Sequence, residues 1–573
     1  QLITENIDIW TSAIKKRGSQ GRGSSKKIEL YGIKKLRELI LELAVRGLLV
    51  PQDPNDEPAS VLLEKIAAEK EQLIKDGKIK KQKALPEISD EEAISNLPAG
   101  WVCARLGSVM NVLNGRAYKK HEMLQAGTPL LRVGNLFTSK EWYYSDLELE
   151  PEKYIDNGDL IYAWSASFGP FIWDGGKVIY HYHIWKLDSY HKPSFDKYYL
   201  LNYLQSITAS IKASGNGIAM IHMTKERMEK LVLPIAPLKE QNRIVAKVDE
   251  LMALCDQLEQ QTETSLLAHQ TLVETLLNTL LNADQNSFDP AWERIAQHFD
   301  VLFTTEHSID QLKQTILQLA VMGKLVPQDP NDEPASVLLE KIAAEKEQLI
   351  KDKVIKKQKP LPPISENEKP FELPQGWEWV RFASLSNEIA TGPFGSMIHK
   401  RDYIEGGVPL INPSHMINSR VVEDSAISVS AAKSEELRSY KLYENDIVMA
   451  RRGEMGRCAL ITKREENWLC GTGSFVLRFN DKLSRDYILL LFRTRWVKEY
   501  LGGESIGTTM TNLNHNILNR LPLLLPPLAE VPRIISRVSE LMDLCEMLKK
   551  QIRETQTTQL HLADAMAEQA LNS

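Results

Sequence analysis

Cysteine is scarce in this chain, and the five that occur, at 103, 255, 458, 470 and 545, form no CxxC pair and no zinc-ligand spacing. Their scarcity excludes a disulfide framework and a thiolate metal site, and it fits a reducing compartment, the cytoplasm. Long apolar runs are missing too. No stretch approaches the length of a membrane span and no signal-peptide pattern opens the sequence, so no membrane is expected among its partners. Gln1 opens the chain, which leaves room for an initiating segment upstream. Nucleotide and methylation motifs are equally absent. GSQGRGSSK (18–26) lacks GxxxxGK[ST] and precedes no strand, GNGIAM (215–220) is no dinucleotide fingerprint, and Asn412-Pro413-Ser414-His415 matches an adenine-methylation motif for two letters only. No catalytic constellation stands out. His181 and His183 in HYHIW are expected to alternate on a strand; without a third ligand they read as a polar pair rather than a metal site.

What the chain has instead is repetition. Residues 49–76 (LVPQDPNDEPASVLLEKIAAEKEQLIKD) recur without a change at 325–352, an offset of 276 in a chain of 573. Spacing by half the chain marks an internal pseudo-dimer rather than a solenoid, whose repeats run ~20–50 residues. The copy extends to both sides. ELILELAVRG (38–47) matches QTILQLAVMG (314–323), and LPAGW (97–101) matches LPQGW (373–377), at the same offset. Gly127 and Pro129 pair with Gly407 and Pro409, and Asp159 and Ala163 with Asp446 and Ala450. PLKEQNRIVAKVDELMALCDQLEQQ, from Pro237, pairs with PLAEVPRIISRVSELMDLCEMLKKQ, from Pro527. The offset only grows, from 276 to 290, as it must when both halves share one fold and the second has gained small insertions. Flanks are alike and interiors differ: a common frame carries two different readers. A two-fold protein suits a target with two separated half-sites, and nucleic acid is the commonest such target.

Net charge is −6, but it is unevenly spread. Residues 97–234 hold 15 basic against 13 acidic side chains and residues 373–525 hold 19 against 17, so each reader is net +2 and the acid excess sits in the helical frame. Local charge rather than the sum governs binding to phosphates, and so small a surplus predicts moderate affinity from this chain alone. The expected fold class is α+β, with three or four domains' worth of chain. Two α/β target-reading domains, at 97–236 and 373–526, are joined by long antiparallel coiled-coil helices with an internal pseudo-two-fold repeat. A helical region and tether fill 1–96; a central helix, helical repeat and tether fill 237–372; a closing helix fills 527–573. Residues 12–27 read as a flexible basic linker, and KIKKQK (78–83) as a lysine-rich tether.

Ile244, Val248, Leu251, Cys255 and Leu258 step by 4, 3, 4, 3, and Ile534, Val538, Leu541, Cys545 and Leu548 repeat the pattern. Such spacing makes a seam for another helix and puts both cysteines in the core. A helix over 241–281 would be roughly 60 Å long. Two of them packed antiparallel would hold the readers tens of ångströms apart, on the scale of DNA turns at ~34 Å each.

Inside the readers, GDLIYAWSASFGP (158–170) aligns with NDIVMARRGEMGR (445–457). Asp159/Asp446, Ala163/Ala450 and Gly169/Gly456 hold the frame, while Trp164-Ser165-Ala166-Ser167-Phe168 stands against Arg451-Arg452-Gly453-Glu454-Met455. Arginine forks suit guanine, carboxylates accept from cytosine, and serine serves several bases. Trp164, Ser165, Ser167, Arg451, Arg452, Glu454 and Arg457 are therefore candidate base readers. The competing reading is a hairpin tip with Trp164 and Phe168 in the core. Residues 214–228 and 506–518 lead small and polar residues into a helix, where Asn216, Lys225, Asn514 and His515 could help backbone N–H groups hold a phosphate; a loop that merely closes the domain is the alternative. Lys119 and Lys120 are further phosphate candidates, or a solvated surface pair.

Taken in order and in duplicate, the LPxGW openings, GTPLLRVGNL (127–136), DIVMARRGEMGR (446–457) and PLKEQNRIV (237–245) before a coiled-coil helix resemble the specificity subunit (HsdS) of Type I restriction–modification systems, along essentially the whole chain. The resemblance implies two target-recognition domains, each reading in the major groove one half of a bipartite, asymmetric site in double-stranded DNA. It implies a recognition subunit without catalysis of its own, two methyltransferase (HsdM) subunits docked on the shared helices, and restriction (HsdR) subunits joining that core. S-adenosylmethionine, ATP and Mg²⁺ would belong to the partners, none to this chain, and the docked methyltransferases would flip adenines that this chain only positions. The long N-terminal extension and the PQDPNDEPAS block suggest a branch with larger subunits. There is one departure: Leu528-Ala529-Glu530-Val531-Pro532 replaces Leu238-Lys239-Glu240-Gln241-Asn242, and loss of the glutamine is expected to make the two docking faces unequal. Two other classes compete. A self-contained DNA-modifying enzyme would need carboxylate–metal or cofactor motifs; a non-DNA coiled-coil scaffold leaves two divergent readers unexplained.

Overall fold

The computed structural model describes residues 2–16, 28–94, 96–164, 168–190, 195–213, 224–284, 286–503 and 513–572. They fall into two compact units, one of residues 1–266 and 555–573, the other of 267–554. Each contains a frame helix, a capped connector, a charged helix, a strap, a reader and parts of the two long helices.

In the first unit the frame helix Tyr31–Val45 buries Ile33, Leu36, Ile40, Leu43 and Ala44, the apolar stripe expected of period 3.6. It ends because Gly47 adopts φ +72, letting Leu48 N–H donate back to the Leu43 carbonyl at 2.9 Å. A Cβ at Gly47 would lie 2.5 Å from Pro98 and 2.9 Å from the Trp101 ring, so the same glycine seats the LPAGW segment. In the second unit Glu306–Val321 ends on Gly323 at φ +68, and a Cβ there would lie 2.5 Å from Pro374 and 3.1 Å from the Trp377 ring.

The identical 28-residue block does identical work in both units. Gln52 Nε2 donates to the Gly47 carbonyl at 2.9 Å and to Glu240 at 2.8 Å; Gln328 Nε2 reaches the Gly323 carbonyl at 2.8 Å and Glu530 at 3.0 Å. Trp101 Nε1 donates to Glu240 at 3.1 Å and Trp377 Nε1 to Glu530 at 2.9 Å. Asp56 pairs with Arg243 at 2.8 Å and Asp332 with Arg533 at 2.5 Å. The charged helices Ala59–Lys75 and Ala335–Lys351 bury the same three residues, Ala59, Leu62 and Ile66 against Ala335, Leu338 and Ile342.

The long helices run Leu238–Asn282 and Val531–Asn572. Ile244, Val248, Leu251, Cys255 and Leu258 are buried in the first unit; Ile534, Val538 and Cys545 are buried in the second, with Leu541 and Leu548 half-buried. Ala563, Met566 and Ala567, at the end of the second long helix, belong to the core of the first unit. Val273, Leu277 and Leu280, at the end of the first, belong to the core of the second. Ion pairs tie frame helices to long helices within each unit: Arg37 to Asp256 and Glu259, both at 2.7 Å, and Lys549 to Asp310 and Arg553 to Glu306, both at 2.7 Å.

Three expectations need correction. Residues 12–27 are not a free linker where they are described: Lys15–Lys16 pairs antiparallel with Ile28–Glu29, and residues 17–27 lie outside the described residues. The cause is Trp10, fully buried, whose carbonyl would sit 2.2 Å from a Cβ at Gly32; glycine there lets the short helix Ile7–Ser12 close onto the frame helix.

The lysine-rich tethers are not free either. The segment that follows each, through Glu92 or Glu368, is strapped to its reader by one arginine. Arg105 Nη1 and Nη2 pair with Glu92 at 3.0 and 2.7 Å, and its N–H groups reach the carbonyls of Pro86, Glu87 and Lys230. Arg381 repeats this with Glu368 at 2.6 and 2.9 Å and the carbonyls of Pro362, Pro363 and Arg520. The guanidinium bonds and the Ser89 or Ser365 backbone N–H hold the Glu92 and Glu368 carboxyls down at about 2.

Gln241, finally, lies on no docking face. It is fully buried, donates to the Ala236 carbonyl at 2.9 Å and accepts from Asp196 N–H at 3.1 Å. Val531 at the matching position is buried in the apolar core instead. The substitution changes an internal staple, not an exposed surface.

The readers share a topology. A two-stranded ribbon closes each domain, Val102–Arg105 with Val232–Ile235 and Glu378–Arg381 with Pro522–Leu525. A four-stranded antiparallel sheet runs in the spatial order Met110–Asn114, Ile184–Ser189, Leu160–Trp164, Phe168–Ile172 in the first, and Ser386–Thr391, Ser474–Phe479, Ile447–Ala450, Cys458–Leu460 in the second. Each also has one parallel pairing, Thr128–Leu131 with Val178–Tyr180 and Val408–Ile411 with Leu469–Cys470. The α+β reading with two repeated readers and long helices therefore holds.

Candidate nucleic-acid interface

Each reader presents a hairpin tip where its sequence departs from the other. The first tip joins Leu160–Trp164 to Phe168–Ile172, with Trp164 opposite Phe168; the second joins Ile447–Ala450 to Cys458–Leu460, with Met449 opposite Cys458. The shared aspartates start these strands alike. Asp159 accepts from Asp156 N–H at 2.8 Å and Lys186 Nζ at 2.6 Å, and Asp446 from Tyr443 N–H at 3.0 Å and Arg478 Nε at 3.1 Å. Burial holds the Asp446 carboxyl above its ordinary range, outweighing the adjacent Arg478.

In the first reader, Trp164 is half-buried, stacked on Trp185 with ring centres 5.3 Å apart and planes 18° apart, and its Nε1 donates to the Tyr182 carbonyl at 3.0 Å. One face and the only donor of Trp164 are thus committed to the hairpin. Phe168 is half-buried against the same core, while Ser165 and Ser167 lie outside the described residues.

His181 and His183 do not alternate on a strand. The strands end at Tyr180 and restart at Ile184, and Tyr182-His183 is the turn between them. The turn is tight enough to bring the rings of His181 and Tyr182 within 4.3 Å and those of Tyr182 and His183 within 4.1 Å, with Trp164 5.0 Å from His183. Burial, reinforced by His183 and Arg132, pushes His181 down to about 4, and burial lowers His183 as well. Both shifts disfavour the charged imidazolium, so neither ring is suited to pairing with a phosphate. Exposed Tyr182 completes an aromatic cluster beside the tip that periodicity alone did not reveal.

Lys119 and Lys120 are exposed at the start of a short turn whose Glu122 accepts from Lys119 N–H at 2.8 Å and Arg116 Nη2 at 2.7 Å. Lys225 opens the five-residue helix Lys225–Glu229, capped by Thr224, and pairs with Glu229 at 3.5 Å. Asn216 lies outside the described residues.

In the second reader, two candidates drawn from two separate sequence segments come together around Phe475, Arg451 and His515. Arg451 lies 4.8 Å over its ring and donates from Nε to the Leu513 carbonyl at 3.3 Å. His515 sits 5.0 Å from the same ring, its Nε2 is 3.0 Å from Thr391 Oγ1, and burial plus the Arg451 charge lower its pKa. Asn514 caps the helix His515–Arg520, accepting from Ile517 N–H at 3.0 Å.

Arg452 and Glu454 are exposed. Glu454 pairs with Arg457 at 2.9 Å and Lys498 at 3.3 Å, lining a cleft of about 580 Å³ with Arg493 and the hairpin turn Asn418-Ser419. Sequence reasoning missed Arg493 and Lys498, because they lie on helices beyond the last long strand and in no motif; only the reader's positive count hinted at them.

Among the described residues no cluster of three His, Cys, Asp or Glu side chains could hold a metal ion, and no helix is long and apolar enough to cross a membrane. Two readers with the same anchors and different tips, on one duplicated frame, define a two-domain recognition protein. Comparison with known proteins agrees. The Type I restriction modification DNA specificity domain matches residues 98–268 and again 374–556. The chain is 42% identical to the EcoAI specificity subunit of Escherichia coli over 100% of its own length and 99% of that protein's, and 40% identical to the EcoEI specificity subunit of the same organism with the same coverage. A solved HsdS subunit from Thermoanaerobacter tengcongensis aligns at 18% identity and a TM-score of 0.38, covering 83% of this chain and 97% of that one. The chain belongs to the specificity subunits of Type I restriction–modification systems, the components that confer recognition and work with restriction and modification subunits and DNA.

Proposed function

We propose that this chain binds a bipartite, asymmetric site in double-stranded DNA, one half-site per reader, and serves the assembly without catalysing a reaction itself. The observation that carries the reading is the contrast between anchors and tips. The Arg105 and Arg381 straps, the contacts of Glu240 and Glu530 and the strand-starting Asp159 and Asp446 recur in both units, whereas the tip is Trp164 stacked on Trp185 in one reader and Arg451 over Phe475 in the other. Different chemistry on one frame suits two different half-sites, hence a non-palindromic target. Trp164 and Arg451 would set the shape of their tips, leaving Tyr182, Arg452, Glu454 and Arg457 as the side chains toward bases.

Two modification subunits and the restriction subunits would complete a cytoplasmic assembly, supplying S-adenosylmethionine, ATP and Mg²⁺; the duplicated frame, which offers one equivalent surface per unit, supports a count of two. Base-resolution mapping of methylated adenine in cells carrying this chain and its modification subunit tests the reading. One bipartite motif is expected, and exchange of residues 164–168 for 451–455 should alter one half of it. No new motif with an active partner, or a motif indifferent to the exchange, would sink it.

A further inference from the structure

We infer that the lysine rows of the two straps are contact tracks for the phosphate backbone of duplex DNA, one beside each reader; this rests on the DNA-reading role proposed above. The rows are Lys80, Lys81 and Lys83 in the first unit and Lys356, Lys357 and Lys359 in the second, all exposed. Among the described residues none of the six has a carboxylate at ion-pair distance, although the chain as a whole carries net charge −6. Lys83 lies near Glu226, but that carboxylate is already paired with Lys230 at 2.7 Å.

What separates these rows from ordinary solvated lysines is that their backbone is held at both ends. At one end Ile79 and Ile355 N–H donate to the Leu73 and Leu349 carbonyls, both at 3.3 Å, closing off the preceding helices. At the other end stand the Arg105 and Arg381 clamps on the carbonyls of Pro86 and Pro362. Inside the first row Gln82 turns inward, donating to Asn111 Oδ1 at 3.3 Å and accepting from Tyr190 Oη at 3.1 Å, so its lysine neighbours face out. The entropy of ordering the segment is therefore already lost in the free protein, which favours binding.

The position fits as well. Asn111 lies on the edge strand Met110–Asn114, and Asn114 is opposite Trp185, on which Trp164 stacks. Three residues of strand, ~10 Å, separate the strap's attachment from the level of the tip. A tip entering a groove at that level would bring the flanking backbone toward the lysines. DNA suits the composition better than a protein partner does. Lysine is depleted in protein–protein interfaces and these rows expose no large apolar side chain between the lysines, whereas point charges on a fixed backbone suit phosphates whatever the sequence.

The test uses the chain assembled with its modification subunit, titrated with a duplex carrying its methylated motif and with a random duplex across a salt series. Each phosphate contact steepens the plot of log affinity against log salt by ~0.9. Lys80→Gln, Lys81→Gln and Lys83→Gln together should flatten the slope by roughly 2–3, weaken both duplexes by the same factor and leave the preference between them unchanged. The triple replacement of Lys356, Lys357 and Lys359 should do likewise. Lys65→Gln, an exposed lysine paired with Glu57 at 2.7 Å, serves as control and should leave the slope unmoved. An unchanged slope in both triple variants would overturn the inference, as would weakened assembly with the modification subunit at an unchanged DNA slope, which would assign the rows to an acidic protein surface. A wild-type assembly with no preference for its motif would instead overturn the reading role itself.

Discussion

The two units of this protein agree where the chain builds its frame and differ at the tips of their readers. Around Glu240 and Glu530 the agreement extends to individual atoms: the same glutamine, tryptophan and arginine–aspartate partners recur at distances within a few tenths of an ångström. At the tips the agreement stops, yet a common requirement shows through. Trp164 hands its N–H to the Tyr182 carbonyl and Arg451 hands its Nε–H to the Leu513 carbonyl, so the first tip residue is in each case a brace, built from different chemistry. Sequence divergence at a tip is therefore not the same as base contact. The first divergent residue fixes the tip's shape, and in the second reader Arg452 and Glu454 after it are exposed.

The comparison can be broken most severely at the straps. Arg105→Ala or Arg381→Ala removes a buried guanidinium that satisfies several carbonyls at once. Leaving these unpaired should cost about 3 kcal/mol of local stability. Amide exchange across 85–94 in one unit and 361–370 in the other should accelerate on the order of 100-fold in the mutated copy and not in its twin. Loss in both copies, or in neither, would show that the straps are not independent local units.

The same clamps set a pH dependence. Glu92 and Glu368 have carboxyls held down at about 2 by their arginines, below the unfolded glutamate value of ~4.3. A depressed carboxyl contributes stability that is present above the unfolded value and is lost as pH falls through the folded one. Strap protection should thus decline in both units as pH is lowered from ~4.3 toward 2. Glu92→Gln and Glu368→Gln should each abolish the decline in its own unit.

Much of this frame was legible in the sequence, for a simple reason. A repeat with an offset of 276 and a 4, 3, 4, 3 apolar step are patterns of order along the chain, and they survive as buried Cys255 and Cys545 in two matching helices. The straps were not legible. KIKKQK has the composition of a solvated tether, and what holds it is Ile79 N–H on the Leu73 carbonyl, Gln82 on Asn111 and Tyr190 and, just beyond it, the Pro86 carbonyl on Arg105, contacts that no side-chain pattern encodes. The turn at Tyr182-His183 was hidden likewise, since HYH alternates on paper whether or not the chain reverses there. Of the candidate site, the tips were found by differencing the two copies, but Arg493 and Lys498 lie where no difference pointed.

A smaller contrast lies at Gln241 and Val531. Gln241→Val strands the Asp196 N–H and the Ala236 carbonyl in a buried setting, and should cost the first unit about 2 kcal/mol. Val531→Gln should destabilise the second unit by burying an amide in an apolar core. Chemical unfolding of the two single variants would show whether each unit has adapted to its own residue. A neutral Gln241→Val would mean that the staple is dispensable and that the starts of the two long helices are interchangeable.

The finest contrast is a single backbone position at the end of the repeated helix. Gly77 and Lys353 occupy it at φ +69 and +60, closing the helices with N–H bonds to the Ile74 and Ile350 carbonyls, both at 3.1 Å. Only glycine takes that conformation without strain, and a Cβ at Gly77 would meet nothing within 4 Å, so the difference between the copies is conformational rather than steric. Lys353 therefore carries a cost of roughly 1 kcal/mol that the first unit avoids. Gly77→Ala should weaken exchange protection at the last turn of Ala59–Lys75 about fivefold, and Lys353→Gly should strengthen the last turn of Ala335–Lys351 by a similar factor. Lys353→Asn separates backbone from charge: asparagine tolerates the left-handed region, so it should recover part of the gain while removing the same lysine. If Lys353→Asn and Lys353→Gly both leave protection unchanged, the left-handed lysine is unstrained and the two helix ends are equivalent after all.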